Sequence, residues 1–228
     1  MGNYDQYKKI NNTFFEKLIT NSNDDHSAVG QSSLSHKKRF DTMLKVGHLQ
    51  DSTLLDIGCG LGSFYDFLNQ CQLNTTYTGF DISEKMIQKA KKQHPQIAER
   101  FILKDILEDK VDSNFDYIVS VGPLNLFLDE KTNYDITLNL MEKMFKHANK
   151  GFAFSMTSAL SRKKNNDTFY YDAKMIISHL EKYCNNYRLD HSYLPHDFTI
   201  FGYKDDLYNS EYKNRCYLIL LISLFFFL

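Results

Sequence analysis

The chain has 228 residues, 43% hydrophobic and 24% charged, with a formal net charge of −1. That composition fits one globular domain with small additions and excludes a disordered or low-complexity chain. Near-neutral charge excludes a global field that draws the protein to nucleic acid or to an anionic membrane. The basic runs at 37–39 and 162–164 are short and read as solvated faces. The four cysteines, Cys59, Cys71, Cys184 and Cys216, form no CxxC pair. This argues against a disulfide framework or a zinc site, and no metal is expected. With no apolar signal region at the N-terminus, a cytoplasmic location is expected.

In chain order, residues 4–20 carry apolar and aromatic residues at helical spacing and predict a helix. Residues 21–31 are polar and read as a loop. Residues 34–49 predict a second helix, with Phe40, Met43, Leu44 and Val46 on or near one face. The pattern then alternates. Strands are predicted at 53–57, 76–80, 100–103, 117–121 and 151–156. Helices are predicted at 62–71, 83–93, 132–147 and 172–184. A terminal hairpin joins 187–193 to 198–203. The segment 117–121 is nearly all apolar, as for a central parallel strand covered on both faces.

Strand–helix alternation implies right-handed crossovers and a parallel sheet with helices on both faces. The expected fold is therefore α/β, a doubly wound, mostly parallel sheet with a terminal antiparallel hairpin and an N-terminal helical extension. Ligands in such sheets bind beyond the carboxyl ends of the strands. The residues just after each strand are where a site is sought.

The run Asp56-Ile57-Gly58-Cys59-Gly60-Leu61-Gly62 closes the first strand and opens a helix. Glycines there permit a tight turn and close approach of a ligand to the backbone. A dinucleotide fingerprint needs its third glycine at position 63, which is Ser63; the glycine is Gly62. Asp56 would repel a pyrophosphate but suits the ammonium of a methionine moiety. The pattern D-x-G-x-G-x-G favours S-adenosylmethionine over NAD. Asp81 ends the second strand, where an acidic side chain accepts from ribose hydroxyls in either type of site. Asp105 follows the third strand, in reach of an adenine amino group. The fourth strand runs into the turn Gly122-Pro123-Leu124-Asn125, beside the expected sulfonium.

These four elements, in this order, resemble the class I (Rossmann-like) S-adenosylmethionine-dependent methyltransferases over residues 51–158. The flanks, residues 28–31 with Arg39-Phe40 and residues 170–204, are similar to an uncharacterised bacterial-type subgroup. The resemblance implies a seven-stranded sheet with the last strand, 198–203, inserted antiparallel beside the fifth. It implies Gly58, Gly60 and Gly62 at the methionine end, with Asp56 near the ammonium. It further implies Asp81 on the ribose, Ile82 and Met86 against the adenine, Asp105 and Ile106 around the base, and Val121 and Gly122 as backbone contacts. Residues 1–50 are then a helical cap, 51–204 the Rossmann-like domain, and 205–228 an apolar tail. The uncharged run at 216–228 is shorter than the about 20 residues of a membrane span.

The implied activity is transfer of a methyl group to an oxygen or nitrogen of a small molecule by in-line displacement. Nucleic-acid or protein methylation, and cofactor binding without catalysis, are the alternatives. The turn Gly122-Pro123-Leu124-Asn125 departs from the Asn/Asp-Pro-Pro-Tyr/Phe motif of amino-methylating DNA and protein enzymes. Candidate residues on the acceptor side are His26, Asn125, Tyr170, Tyr171, His196 and Asp197. Turn chemistry at the hairpin tip explains Asp197 equally well. Arg39 has two readings, a partner for the cofactor carboxylate or a helix-surface residue.

Overall fold

The computed structural model describes residues 2–21 and 33–204. Residues 22–31 of the expected loop, with His26, and the tail at 205–228 lie outside them. Helix α1 spans Gly2–Asn21 and α2 spans Ser33–Met43. The alternating part follows as β1 Thr53–Ile57, α3 Ser63–Gln70, β2 Thr76–Asp81, α4 Glu84–Gln93 and β3 Phe101–Leu103. It continues with β4 Phe115–Val121, α5 Glu130–His147, β5 Ala148–Thr157 and α6 Ala173–Leu180, and ends in the hairpin β6 Asn186–Leu194 and β7 Asp197–Tyr203.

The seven strands form one sheet in the order β3-β2-β1-β4-β5-β7-β6. The pairs from β3 to β5 are parallel; β7 runs antiparallel to both β5 and β6. The order reverses at β1, whose neighbours are β2 and β4. That switch point opens a crevice beyond the carboxyl ends of β1 and β4.

Strand side chains alternate between the two faces, and the core divides accordingly. Leu55, Ile118, Phe152, Phe154 and Ile200 meet Leu140, Met141 and Met144 of α5 and Ile176 and Leu180 of α6. Leu54, Tyr117, Val119, Ala153 and Phe201 meet Phe40 and Met43 of α2, Phe64, Phe67 and Leu68 of α3, and Ile87 and Ala90 of α4. Three of the helices, α4, α5 and α6, start at a side-chain cap. Ser83, Asp129 and Asp172 accept from the amides of Met86, Thr132 and Lys174.

Local predictions change at several places, and the helix expected over 172–184 spans only Ala173–Leu180. The helix expected over 34–49 ends at Met43 and passes through a 3₁₀ turn at Leu44–Val46. Gly47 crosses directly over Tyr117, where a Cβ would sit 2.4 Å from the ring. A further 3₁₀ segment, Pro95–Arg100, carries the chain from α4 into β3.

Helix α1 lies across the carboxyl edge of the sheet. Asn3 donates to the Thr132 hydroxyl on α5 at 3.1 Å, and Lys85 on α4 pairs with Glu16 at 2.6 Å. Phe15 packs on Leu61 and Met86.

Candidate active site

A cavity of about 430 Å³ occupies the switch point beneath α1. Its floor is the glycine turn. Gly58, Gly60 and Gly62 have φ of 75°, 55° and 88°, conformations that favour glycine. The Gly58 and Cys59 amides both donate to the Phe80 carbonyl, at 2.8 and 3.0 Å, which ties the turn to the end of β2. Gly58 and Gly60 line the cavity. Gly62 does not. It opens α3 and packs outward, where a Cβ would lie 2.8 Å from Phe101 and 2.9 Å from His94.

Asp81 stands at the end of β2 and lines the cavity. Its Oδ2 accepts from the Gly60 amide at 2.9 Å and its Oδ1 from the Ser83 amide at 2.8 Å. Burial raises its pKa, and the amides of Ser83, Gly60 and Ile82 oppose the rise. The carboxylate is thus fixed in orientation while each oxygen keeps spare acceptor capacity. Ile82, Met86, Asp105 and Ile106 line the same end. Asp105 accepts from the Tyr4 hydroxyl at 3.0 and 2.9 Å and from the Leu107 amide at 2.9 Å. Lys8 stands 3.6 Å from it and also pairs with Glu108. Burial, and then the charge of Asp105, hold the Tyr4 phenol far above its ordinary range.

Asp56 is not brought to the cavity. It is 3% exposed in β1 and accepts from the Tyr77 hydroxyl at 2.8 Å. Burial pushes its carboxyl up to about 7, against that hydrogen bond.

The opposite end lies beyond β4 and β5. Val121, Gly122, Asn125, Thr157, Tyr170 and His196 line it. Gly122 has a φ of 64°, and a Cβ there would stand 2.7 Å from the Asn125 amide nitrogen. Tyr171 points the other way. It is fully buried, donates to the Leu124 carbonyl at 2.6 Å and accepts from Thr137 at 2.8 Å, so it is a core residue and not a cavity one.

Arg39 is not a helix-surface residue: it is 6% exposed and lines the cavity. Its Nε and Nη2 stand 2.6 and 2.5 Å from Oδ2 of Asp197, which is 1% exposed. Burial raises the Asp197 pKa, with Arg39 opposing the rise. The third guanidinium nitrogen, Nη1, is buried without a hydrogen-bond partner.

A family model described as a methyltransferase domain matches residues 48–215. The chain belongs to the methyltransferase domain family. It is 28% identical over 153 residues to a protein of Mycobacterium tuberculosis named as a methyltransferase, covering 64% of this chain and 89% of that one. It is also similar to the malonyl-[acyl-carrier protein] O-methyltransferase of Hamiltonella defensa, 33% identical over 95 residues, 40% of this chain and 35% of the relative. Among solved structures it superposes on the N-methyltransferase NodS of Bradyrhizobium japonicum in complex with S-adenosyl-L-homocysteine. There the TM-score is 0.63 at 16% identity, over 86% of this chain and 99% of the other. The magnesium protoporphyrin IX methyltransferase of Synechocystis gives 0.55 at 16% identity, over 89% and 91%. At these identities the likeness to solved structures is one of fold, the class I methyltransferase sheet.

The sequence places a helical cap at residues 1–50 but singles out none of the α1 residues that roof the cavity. Tyr4, Tyr7, Asn11, Phe14 and Phe15 all line the cavity. Their spacing of three, four, three and one is a helical stripe. Its mixture of aromatics and amides, in place of aliphatics, was a sign of a ligand-facing surface. Lys104 and Lys163 were also missed as lining residues. Among the described residues no group of three or more His, Cys, Asp or Glu is placed to hold a metal ion. No described helix is long and apolar enough to cross a membrane.

Proposed function

We propose that the chain binds S-adenosylmethionine in this cavity and transfers its methyl group to an oxygen or nitrogen of a small-molecule acceptor by in-line displacement. The observation that carries the reading is Asp81, oriented by two backbone amides at the switch point and facing the cavity. It would hold the ribose hydroxyls. Ile82 and Met86 would pack on the adenine, and Asp105 and Ile106 would bracket it. Asp105 accepts from Tyr4 and Leu107, and a carboxylate has about four lone-pair sites, so room remains for an adenine amino group.

The methionine part would lie over Gly58 and Gly60, against Val121 and Gly122. The unpartnered Nη1 of Arg39 fits its carboxylate, since buried donors are normally satisfied. Asp56 acts from below through Tyr77 and supports the turn. Gly62 shapes the turn from behind.

When bound, the cofactor supplies an electrophilic methyl group on a sulfonium. What the chain adds is placement, which supplies much of the acceleration in such transfers. Helix α1 covers the cavity and excludes water. His196 lines the acceptor end with Nε2 at 3.9 Å from Asp197, the position from which a base would take a proton from a neutral acceptor. Residues 1–50 thus cap a catalytic domain at 51–204.

The test is turnover. Incubated with S-adenosylmethionine and a metabolite extract, the chain should release S-adenosylhomocysteine and yield a methylated product by mass spectrometry. Cofactor binding with no product from any extract would leave a binding protein without transferase activity and overturn the catalytic part.

A further inference from the structure

The cavity is charged unevenly along its length. Among the described lining residues the carboxylates are Asp81 and Asp105, and both stand at the proposed cofactor end with Lys104 beside them. The acceptor end is lined by Lys163, His196 and Arg39, with Ser161, Asn165 and Thr168 beside them. Arg39 is neutralised by Asp197, and among the described residues Lys163 lines this end without an ion-pair partner. Its neighbours Arg162 and Lys164 add to the same field, and Lys164 rests over the Tyr170 ring at 5.4 Å.

The loop that carries these residues is tied down. The Ser158 amide donates to the His196 carbonyl at 2.8 Å, the Ser161 hydroxyl to the Lys163 carbonyl at 2.6 Å, and the Asn165 amide to the Tyr170 hydroxyl at 2.8 Å.

We propose that the methyl acceptor carries an anionic group, a carboxylate or a phosphate, held by Lys163 with the side-chain amide of Asn165 and the hydroxyl of Thr168 as donors. This rests on the proposed placement of the cofactor at the Asp81 end. A cationic amine is disfavoured as acceptor, because among the described residues no carboxylate lines that end. An acceptor whose nucleophile is itself the carboxylate needs no base, since no proton is lost. The bond formed is then oxygen to methyl and the bond broken is methyl to sulfur, with the electron pair left on the thioether.

The experiment is calorimetry on the full chain, with and without S-adenosylhomocysteine, titrated with benzoate, phenyl phosphate and the neutral isostere benzamide. At least one anion should bind about tenfold more tightly than benzamide, the size of one charge-assisted hydrogen bond. Benzoate leading points to a carboxylate and phenyl phosphate leading to a phosphate. In Lys163→Gln the preference should vanish while affinity for S-adenosylhomocysteine stays the same. Equal binding of benzamide, no binding of either anion, or a preference that survives Lys163→Gln overturns the proposal. Failure of S-adenosylhomocysteine itself to bind would instead overturn the cofactor reading, and the titrations without it would still report on the anion site.

Discussion

Arg39 of α2 and Asp197 at the start of β7 form a buried ion pair, with Nε and Nη2 within 2.6 Å of one carboxylate oxygen. The pair joins the helical cap to the terminal hairpin across the acceptor end. Removing one partner leaves the other charged and buried, which costs about 3–5 kcal/mol. Asp197→Ala should therefore lower the unfolding free energy by about that much in urea titration. Arg39→Lys should lose less stability but still bind S-adenosylhomocysteine more weakly, because an ammonium cannot serve Asp197 and the cofactor carboxylate together. A stability loss within 0.5 kcal/mol, the size of an ordinary surface change, would show that the pair is not structural.

The buried Asp56 predicts a specific pH dependence. Its folded-state pKa is about 7 and the ordinary carboxyl value is 3.8, so the folded protein holds this proton more tightly. Stability from this site is present at low pH and is lost as pH rises between those two values. The loss amounts to up to about 4 kcal/mol, at 1.36 kcal/mol for each pH unit. Asp56→Asn keeps the side-chain shape and cannot ionise. The difference in unfolding free energy between the variant and the parent should grow in the variant's favour from pH 4.5 to 7.5. A constant difference across that range contradicts the assignment.

Tyr4 fastens the roof to Asp105 through two contacts of 3.0 and 2.9 Å. Tyr4→Phe deletes the hydroxyl and keeps the ring. A hydrogen bond to a charged group contributes about 1.5–3 kcal/mol, some of which is returned here by water. Dissociation of S-adenosylhomocysteine, followed by stopped-flow fluorescence, should quicken by about tenfold, with little change in melting temperature. An unchanged rate means that α1 does not control exit from the cavity.

The glycine turn should separate into two roles. Gly60→Ala places a side chain on the cavity floor at a φ of 55°. It should weaken cofactor affinity more than it weakens the fold. Gly62→Ala meets Phe101 and His94 below 3 Å at a φ of 88° and should cost about 1–3 kcal/mol of stability. Affinity in the folded Gly62→Ala protein should fall much less than in Gly60→Ala. The reverse ranking would mean that the turn faces the other way.

The alternation at 53–157 was legible because the parallel strands are short and mostly apolar, and all but β3 are followed by a helix of the right period. The end hairpin and the bounds of β1 are those read from the sequence, and β7 lies antiparallel beside β5 as the resemblance implied. Side-chain direction was less legible. Asp56 and Asp81 both close strands beside the glycine turn, yet one faces Tyr77 in the core and the other the cavity. Tyr170 and Tyr171 differ by one position, yet Tyr170 lines the cavity and Tyr171 is buried in the core. Arg39 looks like a surface residue in its local helix because its partner lies 158 residues away. No local pattern encodes such a pairing.

The central claim is that Asp81 holds the ribose of a sulfonium cofactor. Calorimetry of the full chain with S-adenosylmethionine, S-adenosylhomocysteine and NAD, repeated on Asp81→Asn, tests it most directly. The account predicts binding of the first two and none of NAD, and a loss of about 1–3 kcal/mol in Asp81→Asn. Tighter binding of NAD, or an affinity for S-adenosylhomocysteine unaltered by Asp81→Asn, would contradict it.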